Sequence, residues 1–309
     1  MLTILSSPKA FQGIDKINQY NAIHNWKKIK NVQIILYGDE TGIDEAANEF
    51  NVELVKDVEC SRQGIPLFNS IIESAERRSI HSVLMYVNCD ILFNEALVDA
   101  VNCIQFDKFL LVGERLDLSR GTRMELYEEN SNSKILDYIA QDKIELHGPT
   151  GVDYFIFPKG IWVGLPKIVI GRGGYDSSLL AHCKRNMIPI IDGTGTIIAL
   201  HQFHNYNHIQ GGKNKVFYGE DALINNNAQG GRYSSNSIAD SEYYIENYKL
   251  ISYNCRGEKL RALELSLRFK YNLSAASIMV KIIRKLFKFG PLAPPNANIR
   301  ILNSLKCND

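Results

Sequence analysis

The sequence predicts an α/β protein: a mostly parallel central sheet with flanking helices, followed by a helical C-terminal extension. Three observations carry this expectation. From Leu2 to Gly113, short apolar runs alternate with stretches of helical periodicity, the signature of strand–helix–strand units with right-handed crossovers. The run Val83-Leu-Met-Tyr-Val87 is continuously apolar, as a strand buried on both faces must be. The last seventy or so residues lose this alternation and become mainly helical and basic.

In order, Leu2–Leu5 reads as the first strand, ending in Ser6-Ser7-Pro8. A helix follows, with Phe11, Ile14, Ile17, Ala22 and Trp26 tracing its inward face. Val32–Tyr37 is the second strand, Ile43–Phe50 a short helix and Val52–Val55 the third strand. Pro66 opens the next helix at the position proline favours, with Leu67, Ile71, Ile72 and Ala75 inward. The run from Val83 is the fourth strand, Glu95–Ile104 a helix and Phe109–Gly113 the fifth strand. Residues 119–150 are polar and irregular, which predicts a long loop over the sheet edge. Asp153–Phe157, Ile188–Ile191 and Thr196–Leu200 are further strands, and Tyr175–Met187 a helix. The Asn-, Gly- and Ser-rich stretch 225–237 marks a boundary. The expected organisation is a catalytic domain over 1–237 and a basic helical extension over 238–309.

At 309 residues and 45% hydrophobic content, the chain can build one large or two modest domains. A net charge of +1 lacks the cationic excess of a surface that tracks nucleic-acid phosphates. No stretch approaches the ~20 apolar residues of a membrane span. Six scattered cysteines without a Cys-x-x-Cys pair fit reduced thiols, and the N-terminus lacks a basic leader, so a cytoplasmic protein is expected.

The chemistry concentrates at strand ends. The fourth strand delivers Asn88-Cys89-Asp90 to the carboxyl edge, where α/β sheets bind ligands. A carboxylate there can hold a divalent cation, and the cation a diphosphate. Ser6 and Ser7 follow the first strand, and Asp39 the second. Arg62 precedes a helix N-terminus that carries Asn69 in its first turn, so cation and helix dipole together favour an anion. The alternative for each is a turn or cap residue. His201, His204 and His208 cluster after a strand and are candidate cation ligands. In Gly171-Arg-Gly-Gly-Tyr-Asp-Ser-Ser178, glycines permit close approach of backbone to a ligand, and Asp176 either acts as a general base or caps the helix. Asp153, Arg115 and Asp117 are candidates for binding acceptor hydroxyls, unless Arg115 and Asp117 simply pair.

Over roughly residues 1–215, this order of elements and motifs resembles the nucleotide-sugar glycosyltransferases of the GT-A fold. Their metal-binding Asp-x-Asp sits in the context of Asn88-Cys89-Asp90; here Asn88 replaces the first aspartate and supplies no charge. His208-Ile-Gln-Gly-Gly-Lys213 resembles the His-x-x-Gly-x-x-Lys of glycogenin-like retaining transferases, with the lysine one residue early. The resemblance implies transfer of a sugar from a nucleoside diphosphate, a UDP-sugar first, to a hydroxyl of a glycan or lipid-linked glycan. It implies Mn²⁺ or Mg²⁺ at Asp90 with His208 or His204, although metal-independent members exist. It places Ser6, Ser7, Asp39, Arg62, Asn69, Asn88, Asp90 and Lys213 around the nucleotide sugar, and Asp176 and Asp153 at the catalytic step. A bacterial surface polysaccharide is the family's usual product.

Two other readings remain: a sugar-phosphate nucleotidyltransferase, disfavoured because Ser6-Ser-Pro-Lys-Ala10 lacks a glycine-rich loop, and a degenerate scaffold. Finally, Ile278–Phe289 puts Lys281, Arg284, Lys285 and Lys288 on one helical face and Met279, Ile282, Ile283, Leu286 and Phe289 on another. Such a helix either lies in an anionic membrane surface or packs on the catalytic domain.

Overall fold

A computed structural model describes residues 2–127, 130–204, 216–231, 236–253, 256–287 and 297–307. The main sheet has nine strands in the order β3-β2-β1-β4-β9-β6-β10-β12-β13. Its first half is β1 (Leu2–Ser6), β2 (Val32–Tyr37), β3 (Glu53–Val55) and β4 (Val83–Val87), all parallel. β6 (Leu110–Val112) and β10 (Ile190–Asp192) continue in the same direction, on the far side of the antiparallel β9 (Tyr154–Pro158). The helices α1 (Gly13–Lys27), α2 (Ile43–Phe50), α3 (Phe68–Arg78), α4 (Ala96–Asn102) and α6 (Tyr175–Arg185) flank it.

The continuous apolar strands follow from burial on both faces. Alternate residues point to opposite sides of a strand. Ile4, Ile34, Leu36, Met85 and Val87 therefore join one core, with Trp26 and Phe93. Leu5, Ile35, Tyr37, Leu84 and Tyr86 join the other, with Phe68, Phe157 and Trp162. Phe68 packs edge-on against Tyr86, Phe157, Trp162 and Tyr175, which holds α3 to the sheet.

Strand order reverses between β1 and β4. From β1 the chain steps outward to β2 and β3, then returns to β1's other side as β4. The carboxyl ends of β1 and β4 thus flank a topological switch point, where an open α/β sheet leaves a crevice.

Several expectations need correction. Residues 119–150 are not one long loop: they contain α5 (Ser131–Ala140) and β8 (Ile144–Leu146). These are short, and α5 buries only Ile135 fully, so their periodicity is faint. The organising run divides after Val87. β5 (Ile91–Phe93) leaves the main sheet and pairs with β11 (Ala199–His201), which pairs with β7 (Leu116–Leu118) and β7 with β8, forming a second small sheet. In α1 the inward face is Asn18, Gln19, Ala22, Ile23, Asn25 and Trp26, whereas Ile14 and Ile17 are exposed.

Strands of the main sheet continue past residue 237. β12 (Tyr243–Glu246) pairs with β10, and β13 (Lys249–Ser252) with β12, extending the main sheet. The expected helical region is present beyond it, after α7 (Glu220–Ala228), as α8 (Arg256–Phe269), α9 (Ser274–Leu286) and α10 (Ala297–Cys307). α10 is bound into the body of the protein. Ile301 and Leu305 enter the core, and buried Arg300 donates to Asp192 at 2.7 Å, which also accepts from Tyr253.

Candidate active site

β4 ends at Val87, and the chain turns through Asn88-Cys89-Asp90 before β5 departs for the small sheet. The turn is held from both sides. Ser6 Oγ donates to the Val87 carbonyl at 2.7 Å, and the Asn88 amide donates to the Asp153 carbonyl at 3.0 Å. Asp90 is therefore fixed at the switch point, 7% exposed. β11 ends in His201, and Gln202 anchors the next residues through Asn18 and the Asp90 carbonyl. This brings His201 and His204 over the carboxylate. His204 Nε2 lies 3.3 Å and His201 Nε2 3.8 Å from Asp90 Oδ2, and the two Nε2 atoms are 3.2 Å apart.

A second layer sets the tautomer of His201. Its Nδ1 lies 3.0 Å from Asp117 Oδ1 and donates to it, which leaves Nε2 as the nitrogen on the Asp90 side. Asp117 in turn accepts from Arg115 Nε at 2.7 Å and pairs with His147 at 2.7 Å. Arg115 also pairs with Asp153, whose other oxygen accepts from Asn88 Nδ2 at 2.5 Å. Arg115 and Asp117 do pair, as one alternative had it, and the pair ties the small sheet to β9.

Charge follows this geometry. Burial alone would raise the Asp90 carboxyl, but His201, the bond to His204 and Lys9 outweigh it and hold the group well below the usual carboxylate range. Asp117 behaves likewise: burial opposes ionisation, and its bond to His201, the Arg115 charge and its bond to His147 overcome it. Burial disfavours imidazolium at His201, yet Asp90 and Asp117 raise its pKa on balance.

Asp90, His201 and His204 offer one oxygen and two nitrogens, all within 4.8 Å of one another. Asp90 Oδ1 is buried without a hydrogen-bond partner, an orphan atom that a cation would satisfy. Lys9 Nζ sits 3.7 Å from Asp90 Oδ2 and 3.4 Å from His204 Nε2. Its side chain is 37% exposed and also reaches Asp15, so it can withdraw to admit an ion. The residues present fit a divalent cation, and imidazole nitrogens favour Mn²⁺ over Mg²⁺.

Asp176 opens α6 behind Gly174, which adopts φ +79° and where a Cβ would press on the Asn226 side chain. The nearby backbone N–H groups of Asp176, Ser177 and Val152 favour the ionised form of the Asp176 carboxyl. Burial and the neighbouring Asp153 charge nonetheless push its pKa up to about 6. The two carboxylates are thus close, and their partners differ. Asp153 is engaged by Arg115 and Asn88, whereas Asp176 is poised to exchange a proton near neutral pH.

The other candidates scatter. Ser7 is half-buried with its hydroxyl beside Gly38. Ser6 is fully buried, and its hydroxyl joins β1 to β4. Asp39 is exposed in an ion pair with Lys56 at 2.9 Å. Arg62 is exposed and has no ion pair among the described residues. The Asn69 amide bridges the Leu165 carbonyl and the Ile168 N–H. Asn88 donates its side-chain amide to Asp153. His208 and Lys213 lie outside the described residues. Sequence reasoning missed Lys9 and the orienting role of Asp117. The only signal for Asp117 was its place after a strand, beside Arg115.

No protein-family model matches the chain, and no curated protein sequence matches it significantly. Among solved structures, a mannosyltransferase from Pyrobaculum calidifontis in complex with GDP-Man and Mn²⁺ is similar at 10% identity and TM-score 0.41, over 67% of this chain and 57% of that one. Glucosyl-3-phosphoglycerate synthase from Mycobacterium tuberculosis in complex with UDP is similar at 9% identity and TM-score 0.45, over 82% of this chain and 87% of that one. The same synthase with Mg²⁺ and UDP is similar at 10% identity and TM-score 0.40, over 66% and 72%. At such scores these likenesses carry no residue-by-residue correspondence, and the chemistry of the site rests on its own geometry.

Proposed function

We propose that the chain is a metal-assisted glycosyltransferase that moves a sugar from a nucleoside diphosphate, a UDP-sugar first, to a hydroxyl of a glycan or lipid-linked glycan. The observation that carries this reading is Asp90 at the β1–β4 switch point, buried, ionised, orphaned at Oδ1 and faced by two imidazoles. A parallel sheet presents nucleotides at that crevice. Asp90, His201 and His204 would hold Mn²⁺, which when bound neutralises the diphosphate. Asp117 keeps His201 in the ligating tautomer. Lys9 offers its ammonium to the departing diphosphate, whose developing charge must be stabilised.

Asp176 takes the proton from the acceptor hydroxyl as its oxygen bonds to the anomeric carbon and the bond to diphosphate breaks. A sugar hydroxyl is a poor nucleophile at neutral pH, so the step needs such a base. Asp153 and Arg115 position the acceptor beside it. Incubation with UDP-sugars and Mn²⁺ should release UDP slowly without acceptor, as water intercepts the donor. No UDP release from any UDP-sugar, with the donor bound, would leave a binding scaffold as the better reading.

We place the work at the cytoplasmic face of an anionic membrane, on a surface-polysaccharide intermediate. Among the described residues, Cys60, Cys89, Cys103 and Cys183 are free thiols, which suits a reducing compartment. No helix is long and apolar enough to cross a membrane, the described residues alone being considered. α9 turns its polar side to α8: Ser277 Oγ donates to the Glu264 carbonyl and Arg284 Nε lies 3.4 Å from the Glu264 carboxylate. Its apolar side is left outward, with Ile278, Met279, Ile282 and Leu286 all more than half exposed. The side chain of Lys285, and Lys288 and Phe289, lie outside what is described. Burying such a face in lipid is favourable by about 25 cal/mol per Å². Ile282→Asp/Leu286→Asp should abolish cosedimentation with anionic vesicles while α10 keeps the core intact. Undiminished cosedimentation would refute the lipid-facing role of α9.

A further inference from the structure

Beside His204 a groove runs along α1 that none of the roles above uses. Its first part, about 370 Å³, is lined by Ile14, Ile17, Asn18 and Asn21 of α1 and by Arg120 and Arg123 opposite. Its second part, about 320 Å³, shares Ile17, Asn21 and Arg123 and adds Lys28 and Lys134. Volumes of this order are those of ligand clefts, about 300–1,000 Å³. His204 lines the first part and also approaches Asp90 at 3.3 Å, so the groove opens directly onto the candidate metal site.

The two walls differ in chemistry. Ile14 and Ile17 are 45% and 40% exposed, on a helix whose other face already fills the core. They lie one turn apart with Asn18 and Asn21, on a single face of α1. Opposite, the turn Ser119–Thr122 is closed by the Thr122 N–H to the Ser119 carbonyl at 3.1 Å and by the two hydroxyls at 2.9 Å. Gly121 makes that turn possible at φ +81°. The turn projects Arg120 and Arg123, both exposed, and neither has an ion pair among the described residues. Among the described residues the one acid along the groove, Glu125, pairs with Lys28 at 3.6 Å. The groove therefore offers forked cations, without an ion pair among the described residues, against an apolar wall. Guanidinium forks match phosphate and carboxylate oxygens in paired hydrogen bonds.

We infer that this groove is the acceptor subsite, and that the acceptor carries a phosphate or carboxylate group held by Arg120 and Arg123 next to an apolar surface packed on Ile14 and Ile17. This inference rests on the transferase reading for the word acceptor, but the anion site stands on its own. The acid can belong to a soluble sugar acid or sugar phosphate, or to a lipid-linked phosphate.

The test is titration with inorganic phosphate in the presence of EDTA, so that no metal-held phosphate contributes, on wild type, Arg120→Ala/Arg123→Ala, Arg120→Lys/Arg123→Lys and Asp90→Ala. Binding should weaken about tenfold or more in the alanine pair, recover in part in the lysine pair and be unchanged in Asp90→Ala. Thermal unfolding of each variant confirms that the fold persists. Vesicles of phosphatidylcholine containing phosphatidic acid, sedimented with wild type and the alanine pair, separate the two sources. A drop for the alanine pair assigns a lipid phosphate, and no drop with phosphate binding still lost assigns a soluble acid. Equal phosphate binding by wild type and the alanine pair, with vesicle binding also equal, overturns the inference. Phosphate binding that depends on the arginines, without any binding of sugar nucleotides, keeps the anion groove and removes the transferase reading. Donor binding with an arginine-independent phosphate response does the reverse.

Discussion

Asp90→Ala should lower UDP release and sugar transfer by on the order of a thousandfold, the scale on which a single preorganised electrostatic group acts at a reacting centre. The loss should be larger than for either histidine alone, because Asp90 is the only charged ligand of the three. The fold should survive. Lys9, deprived of Asp90, keeps Asp15 at 3.6 Å, and His201 keeps Asp117 at 3.0 Å. His201→Ala should weaken Mn²⁺ more than Mg²⁺, because the lost ligand is a nitrogen. Activity of Asp90→Ala within a fewfold of wild type, in protein of normal melting temperature, would remove the aspartate from the mechanism.

Asp176→Asn should separate activity from stability. As the base, Asp176 works only when ionised, and with a pKa of about 6 the wild-type rate should rise with pH through that region and level above it. The variant should lose the pH-dependent limb and on the order of a hundredfold or more in rate. Stability should move the other way. The folded-state pKa is raised above the ordinary aspartate value near 4, so folding favours the protonated form. Whatever the protonated carboxyl contributes is fully present below about pH 4 and is lost as pH rises through about 6. At pH 8 the ionised Asp176 faces the Asp153 charge, and the neutral amide relieves that by on the order of 1–2 kcal/mol. The variant should therefore melt higher than wild type at pH 8 and close to it at pH 4. A gain in stability with a loss of function is the pattern of a residue held strained for chemistry. A plain helix cap would instead lose stability on replacement at pH 8 and leave the rate untouched.

The sheet was legible because a strand buried on both faces has no polar positions to spare, and β1, β2 and β4 read as continuous apolar runs. Elements of three residues, such as β7 and β8, carry too little pattern to stand out from a polar surrounding. Ile14 and Ile17 misled for a different reason. An apolar helical stripe fits a core and a ligand groove equally well, and only the packing of α1 through Asn18, Ala22 and Trp26 decides between them. Asn18 and Asn25 take inward positions because their amides bond the Phe203 and Phe93 carbonyls, a pairing no local pattern reveals.

At the site, Asp90 was readable from the strand that ends before it. The histidines were readable as a group, but not which of them meets the carboxylate. That depends on β5 and β11 pairing antiparallel, Ile91 with His201, across distant parts of the chain. The same pairing puts β7 beside β11 and so Asp117 beside His201. The protein partners of Ser6, Asn69 and Asn88 were not legible, because an exposed strand-end position and a buried tie between strands use the same residue types.

The most direct measurement is thermal unfolding of wild type and Asp90→Ala against a panel of UDP-sugars, with and without Mn²⁺. A ligand that binds only the native state stabilises it by about 2.7 kcal/mol at a hundred times its dissociation constant. Wild type should melt higher with at least one UDP-sugar, the gain should depend on Mn²⁺, and Asp90→Ala should show none of it. Equal stabilisation of both proteins, or none by any sugar nucleotide, would contradict a donor site built on the end of β4.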